Sequence, residues 1–291
     1  MQKHSASKKV SVVIVTYNSA KVIEECLKSI PDGIKVYVID NASKDSTCKI
    51  VKETRPNAIL IQNDNNIGFG CANNVALEKI DTEFALLLNP DAILEKDSIQ
   101  KLVQAAEKYE EAAIIAPNLY NDDGSLQQSY KTAFYVREET KAKYIAPSGD
   151  LCSECLSGAV MLLRMKHFKK IGFFDPEIFL FYEDDDLCLK AMNAGYSLVL
   201  TPDSEVTHIM GASTPKSNKI IFFKNKHMLW SRLYMEEKYF NKGRAKYVAF
   251  CYLYFYLAKF FVKFCSFQFT RSMKSLGSLT GCLYYLFGIK P

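Results

Sequence analysis

An α/β fold with a mostly parallel sheet and helices on both faces is the fold class this sequence predicts. Two observations carry that expectation. From Val10 to Ala116, short β-branched or apolar runs alternate with segments of helical spacing. Such alternation with short links is the signature of parallel strands joined by crossover helices. The loops expected after four successive strands are all polar and rich in Asp and Asn, which lines them along one sheet edge. Open α/β sheets bind ligands beyond the carboxyl ends of their strands.

The elements follow in order. Val10–Thr16 is a β-branched run and reads as a buried strand. Ala20–Ile30 places Val22, Ile23, Cys26, Leu27 and Ile30 on one helical face, and Pro31-Asp-Gly33 ends it. Strands are expected at Ile34–Ile39, Ala58–Ile61 and Phe84–Leu88, and helices at Ser43–Glu53, Gly70–Lys79 and Lys96–Tyr109. A short fifth strand is expected at Ala113–Ala116. "NDDGS" (121–125) reads as a hairpin turn, and 136–150 as a mobile loop. Leu156–Arg164 reads as a strand, Lys166–Ile171 as a short helix, and Leu187–Ala194 as a helix capped by Gly195. Tyr196–Leu200 reads as a further strand.

Composition bounds the function. The chain has 291 residues, 48% hydrophobic and 24% charged, which suits an ordinary globular protein with a sizeable core. From Asn241 onward there are eight basic residues and no acidic one, leaving 29 basic against 32 acidic in the first 240. A mildly acidic body thus carries a strongly basic tail, a pattern that points to an anionic partner surface. The nine cysteines are odd in number and scattered, unlike a secreted disulfide framework. Cys152-x-x-Cys155 lacks the second pair or nearby histidine that would complete a zinc site. The apolar run at the N-terminus is too short for a signal-peptide core.

The strand-end loops are "TYNS" (16–19), "DNASKDST" (40–47), "NDNNIGFGCANN" (63–74) and "NPDA" (89–92). Loops are polar in general, but four in succession point to a ligand. Gly68-Phe-Gly70 does not make a dinucleotide fingerprint, because Asn73 stands where the third glycine belongs. Between apolar flanks, Glu183, Asp184, Asp185 and Asp186 follow one another. A helix N-terminus accommodates one or two acids; four crowded acids repel and need a further reason.

"VSVVIVTYNS", "VIDNASKDST", "NIGFGCANN", "LLLNPDA", "SGAVMLLR" and "GFFDPEIFLFYEDDDLCLKAMNAGYSLVLTPDSEVTHIMGAS" fall in this order. The ordered set resembles glycosyltransferase family 2, and within it the rhamnosyltransferase-like branch of bacterial surface-polysaccharide enzymes. The likeness runs from Val10 to about Phe240. It implies a GT-A fold, inversion at the anomeric carbon, a nucleotide-diphosphate sugar donor and a divalent cation, Mn2+ or Mg2+. It implies dTDP-L-rhamnose as donor, with a UDP-sugar second, and a lipid-linked or other glycan acceptor. A non-catalytic nucleotide-sugar-binding relative is the competing reading.

The resemblance also assigns residues. Thr16, Tyr17 and Asn18 match the loop that holds the nucleotide, and Asp40 the acid that bonds the pyrimidine. Asn66, Gly68, Phe69 and Asn74 match a loop beside the donor. Asn89-Pro90-Asp91 stands in place of the D-x-D motif, with Asn89 replacing its first acid and Asp91 reaching the metal. Asp184 matches the catalytic base, Glu183 the acceptor side or a supporting role, and His208 a metal-shell histidine. Asp185 is expected to be solvated, and Asp186 to be a cap or the partner of a base. The chemistry is coherent. A cation offsets charge building on the leaving diphosphate, and one carboxylate takes the proton of the attacking hydroxyl.

The tail holds eleven aromatic residues between positions 247 and 269. Lys259 and Lys263 lie in line with Tyr252 and Tyr256, while Phe250, Leu253, Leu257, Phe261 and Phe264 take the opposite side. That pattern predicts an amphipathic helix lying in a membrane interface, with the two lysines arguing against a span. A helical cap packed on the body is the other reading. Nucleic acid is not an expected partner, since polar base-reading side chains are few. The expected organisation is a catalytic domain over 1–240 and a basic aromatic helical tail over 241–291. The expected place is cytoplasmic, peripheral on the inner face of the membrane.

Overall fold

The computed structural model describes residues 8–135, 146–209 and 217–291. The chain forms two compact units, Met1–Pro176 with Asp184–Thr214, and Glu177–Glu183 with Pro215–Pro291. The division falls at 214/215, and the helix over 218–239 groups with the tail helices that follow it.

The first unit opens with β1 (Val10–Thr16), α1 (Ile23–Ser29), β2 (Lys35–Asp40), α2 (Thr47–Thr54), β3 (Ile59–Gln62) and α3 (Phe69–Leu77). Then come β4 (Phe84–Leu88), β5 (Ala92–Leu94), α4 (Ser98–Lys108) and β6 (Ala112–Tyr120). Four two-residue strands follow: β7 (Leu126–Gln127), β8 (Tyr130–Lys131), β9 (Leu151–Cys152) and β10 (Cys155–Leu156). The unit is completed by β11 (Val160–Arg164), α5 (Met165–Ile171), α6 (Glu183–Asn193, whose first residue belongs to the second unit) and β12 (Ser197–His208).

The main sheet runs β3-β2-β1-β4-β11-β6-β12-β5. β3, β2, β1 and β4 are parallel, as are β6 and β12. β11 enters antiparallel between β4 and β6. The alternation of the sequence thus gives a mixed sheet with a parallel half. β1 is buried along its whole length. Val10, Val12 and Ile14 face a layer with α1 and α4, while Val13 and Val15 face a second layer with α3, α5 and α6. Burial on both faces is why the strand reads as a continuous apolar run.

Several elements differ from expectation: α6 starts at Glu183 rather than Leu187, and the strand expected over 156–164 is divided into β10 and β11. β6 extends to nine residues. β5 lacks the length to announce itself in sequence. β12 runs twelve residues, through Pro202, because a register shift between Thr201 and Glu205 frees that position from the ladder. The 121–125 turn does form the hairpin of β6 with β7, and Gly195 takes the left-handed conformation after α6. The expected mobile loop lies largely outside the described residues.

The second unit contains α7 (Asn218–Tyr239), α8 (Lys242–Cys265) and α9 (Phe269–Leu286). Asn241 caps α8 by accepting from Arg244 N at 2.8 Å. The expected amphipathic helix corresponds to α8, and α9 follows it after Phe267, which adopts φ 56°. Only Ala245 and Ala249 of α8 are buried. Leu253, Tyr252 and Tyr256 pack on Leu229, Leu233 and Cys282, so Leu253 does not share a side with the exposed Phe250, Leu257, Phe261 and Phe264 as expected. Tyr247, Phe250, Tyr254, Phe255, Leu257, Phe261, Val262 and Phe264 are exposed. By length and composition α8 is apolar enough to cross a membrane, despite its lysines.

Candidate active site

The ends of β1 and β2 stand side by side, with Thr16 opposite Asp40. Thr16 Oγ1 donates to Asp40 Oδ1 at 3.0 Å, and Ser43 N donates to Asp40 Oδ2 at 3.0 Å. Asp40 is buried, with one oxygen bonded to the end of β1 and the other to its own loop. Asn18 adopts φ 53°, donates its N–H to Ser43 Oγ at 2.8 Å and accepts from Lys44 N at 2.8 Å. These bonds lace the two loops together and leave the Tyr17 side chain 49% exposed above them.

Asn41, not among the expected site residues, ties the next loop down, and it is its neighbour Ala42 that adopts a positive φ, 67°. Asn41 Nδ2 donates to Asn66 Oδ1 at 3.0 Å and Gly68 O at 3.1 Å, and its Oδ1 accepts from Asn63 and Ile67 N. Gly68 adopts φ 87°, a conformation that favours glycine. Asn74 exchanges two hydrogen bonds with the backbone of Phe174, at 2.9 and 3.0 Å, and Phe69 meets the Phe174 ring edge-on at 6.1 Å. The amide of Asn74 thus holds a neighbouring loop.

Asn89-Pro90-Asp91 connects β4 to β5. Because β5 pairs with the end of β12, Ala92 lies opposite His208, and Asp91 Oδ1 comes within 3.3 Å of His208 Nε2. Both residues are buried. The other ring nitrogen, Nδ1, is 2.8 Å from Gln127 Oε1. Gln127 Nε2 donates to Asn121 Oδ1 at 2.8 Å, so Oε1 is the atom facing the ring and Nδ1 carries the hydrogen. Nε2 then faces a carboxylate oxygen, and either a proton or a cation between the two satisfies both. One carboxylate and one imidazole held in a fixed tautomer fit a divalent cation such as manganese. Among the described residues no cluster of three or more His, Cys, Asp or Glu forms a complete metal cage. Such a cation would need oxygens from elsewhere.

A second group of charges lies across a short backbone bridge. Asn89 N donates to Ala159 O at 2.9 Å, and the preceding residue, Gly158, points its N–H at Asp184 Oδ2 from 3.4 Å. A Cβ on Gly158 would sit 3.0 Å from Asp184 Cβ, so a larger residue there would need Asp184 to give by a few tenths of an ångström. Lys131 Nζ lies 3.2 Å from Asp184 Oδ2 and 3.0 Å from Asp185 Oδ2. Burial pushes the Asp184 carboxyl up, but the Lys131 ammonium and the Asp185 backbone N–H outweigh it and hold the group below its ordinary range. The Asp184 side chain keeps 21% of its exposure, while Asp185 keeps 3%. The expectation that Asp185 is solvated is therefore wrong: it is a buried partner of Lys131. Asp186 is fully buried, 4.0 Å from Lys190 one helical turn on, as the partner of a base. Glu183 opens α6 directly before these residues. Phe181 and Tyr182, just upstream, both adopt positive φ, 66° and 69°.

The family model for glycosyl transferase family 2 matches residues 11–172, more than half of the chain. The chain belongs to glycosyltransferase family 2. This glycosyltransferase is a hexosyl-transferring enzyme, similar to several curated relatives. The N-acetylglucosaminyl-diphospho-decaprenol L-rhamnosyltransferase of Mycobacterium tuberculosis is 26% identical over 264 residues, covering 76% of this chain and 86% of that protein. The O-antigen chain rhamnosyltransferase RfbN of Salmonella typhimurium is 25% identical over 210 residues, covering 69% and 66%. A Pyrobaculum calidifontis mannosyltransferase solved with GDP-Man and Mn2+ superposes with a TM-score of 0.58 at 17% identity, over 96% of this chain and 87% of that one. The glycosyltransferase GalNAc-T7, solved with UDP, GalNAc and Mn2+, gives 0.57 at 16% identity, over 79% of this chain and 47% of that one. The fold is GT-A.

Proposed function

We propose that this glycosyltransferase moves L-rhamnose from dTDP-L-rhamnose to a lipid-linked glycan acceptor, with inversion, in cell-surface polysaccharide synthesis. The observation that carries the reaction type is the separation of two charged groups by the Asn89–Ala159 bridge: the Asp91–His208 pair on one side, and Asp184 with its lysine on the other. The rhamnosyl and lipid-linked parts rest on the Mycobacterium tuberculosis relative, which spans most of its own length here.

In this reading Asp91 and His208 would hold a divalent cation beside the donor. When bound, that cation offsets the negative charge developing on the leaving group. Tyr17 presents an exposed ring for the nucleobase, while Thr16, Asn18 and Asp40 hold the loops beneath it. Asn66, Gly68, Phe69 and Asn74 shape the donor-side wall through their bonds to Asn41 and Phe174. Asn89 places Asp91 through its backbone. Asp184, ionised at neutral pH, takes the proton of the acceptor hydroxyl as that oxygen attacks the anomeric carbon from the face opposite the diphosphate. One carboxylate suffices for such an in-line displacement. Glu183 lies on the acceptor side.

The exposed aromatic face of α8 supports binding to the inner face of the membrane. Only twelve residues separate Lys246 from Lys259. They extend roughly 18 Å as a helix, short of the roughly 30 Å hydrocarbon core, so the helix lies in the interface with its lysines at the headgroups. Calorimetric titration of the full chain with dTDP-L-rhamnose, with and without manganese, tests the donor. Saturable, cation-strengthened binding supports it; binding of a UDP-sugar instead would replace the rhamnosyl part.

A further inference from the structure

We propose that Lys131 is the positioning residue of the base, an ammonium shared between Asp184 and the buried Asp185 that holds the Asp184 carboxylate in place. The proposal rests on the reading of Asp184 as the base. It starts from β8, a strand of two residues paired with β10. Lys131 is the last residue of β8, opposite Cys155, and its side chain is 23% exposed. A lysine on a flexible four-carbon stem stays in one place only when something anchors it.

Asp185 is that anchor. At 3% exposure it is a carboxylate that must be paired to be buried at all. It lies 3.0 Å from Lys131 Nζ, and the Cys155 thiol donates to its other oxygen at 3.5 Å. Cys155 is neutral: burial, then the neighbouring Cys188 and Asp185, push its thiol well up. The same ammonium reaches Asp184 Oδ2 at 3.2 Å, where Gly158 N–H also points. Asp185 thus fixes the lysine, and the lysine fixes the base.

Among the described residues, the following charges lie around Asp184. Lys131 faces it from β8, and Asp185 follows it in α6. Asp186 lies near Lys190, Glu183 precedes Asp184 in the chain, and the Cys155 thiol reaches the group from β10. Lys131 is the one cation bonded to Asp184 among the contacts described. Removing it takes from two adjacent carboxylates the ammonium they share, which favours protonation of one of them. Removing the charge of Asp185 instead leaves the lysine to Asp184 alone. The two changes therefore push the ionisation of the base in opposite directions, which no merely structural role would do.

The test measures the pH dependence of kcat and KM for Lys131→Met, Lys131→Arg, Asp185→Asn and Asp184→Asn in the full chain, with circular dichroism as the fold check. The expected result for Lys131→Met is a kcat at least about tenfold lower at neutral pH, donor KM within about twofold, and an acid limb moved to higher pH. Asp185→Asn moves that limb to lower pH, and Lys131→Arg restores most of the rate. The proposal is overturned if both limbs stay at the wild-type position, or shift the same way, while Asp184→Asn is inactive. Should Lys131→Met not fold, an unmoved limb in Asp185→Asn overturns it. Transfer by Asp184→Asn at the wild-type rate refutes the base reading itself.

Discussion

His208 turns Nε2 toward Asp91 Oδ1 at 3.3 Å while Gln127 holds the opposite ring nitrogen at 2.8 Å. Gln127 sits on the two-residue strand β7, paired with β6, so the hairpin turn at 121–125 fixes a histidine far away in sequence. Outer partners of ligating histidines commonly contribute about 10–100-fold in metal affinity. Gln127→Leu is expected to weaken manganese-dependent donor binding by about that factor. Donor affinity without cation should stay unchanged. Calorimetry with and without manganese checks this, and an unaltered cation dependence would remove Gln127 from the account.

The contact of α9 with α7 depends on glycine. A Cβ on Gly281 would lie 2.4 Å from the Lys226 carbonyl oxygen, and one on Gly277 would lie 2.4 Å from that of Phe222. Backbone cannot yield as a side-chain tip can. Gly281→Ala is expected to destabilise the helical unit by about 1–3 kcal/mol, in the range of overpacked sites. Gly149→Ala, with nothing within 4 Å, is the control. Denaturant unfolding of the two variants measures the difference.

His227 is buried against Phe179 and Phe223, with ring centroids 4.8 and 4.3 Å away. Neither ring nitrogen finds a hydrogen-bond partner among the described residues. Burial, helped by Lys226, pushes its pKa down to about 4. The folded value lies below the unfolded one, so the unfolded chain binds the extra proton. Stability is then fully present above about pH 6.5 and falls toward pH 4, by on the order of 3 kcal/mol. His227→Phe should flatten that slope. Unfolding midpoints at pH 7 and pH 5 in both proteins decide it.

The outward face of α8 should bind anionic lipid. Phe261→Glu with Phe264→Glu places charge on two exposed positions and is expected to release the chain from vesicles containing phosphatidylglycerol. Vesicle flotation reads the outcome. Retention of the double variant on the vesicles would move the contact elsewhere.

Much of the parallel half of the sheet could be read from sequence, because Val10–Thr16 and Phe84–Leu88 are buried on both faces and leave unbroken apolar runs. The antiparallel entry of β11 could not be read, since strand order is set by contacts far apart along the chain. β5 escaped notice because three residues carry no periodicity, yet it is what brings Asp91 to His208. The candidate acids were visible as a run, but their sorting was not. Asp185 looks as polar as Asp184 until Lys131, fifty-four positions away, is seen between them. Asn41 and Gln127 act only through bonds to distant loops, and no local pattern marks such residues.

The most direct test compares wild type with Asp184→Asn in a transfer assay. It uses dTDP-L-rhamnose, manganese and a polyprenyl-diphospho-N-acetylglucosamine acceptor, with donor binding measured in parallel. The account predicts release of dTDP and a rhamnosylated lipid from wild type. For Asp184→Asn it predicts a rate lower by about 10²-fold or more, with donor affinity retained. Equal transfer by the two proteins would contradict it.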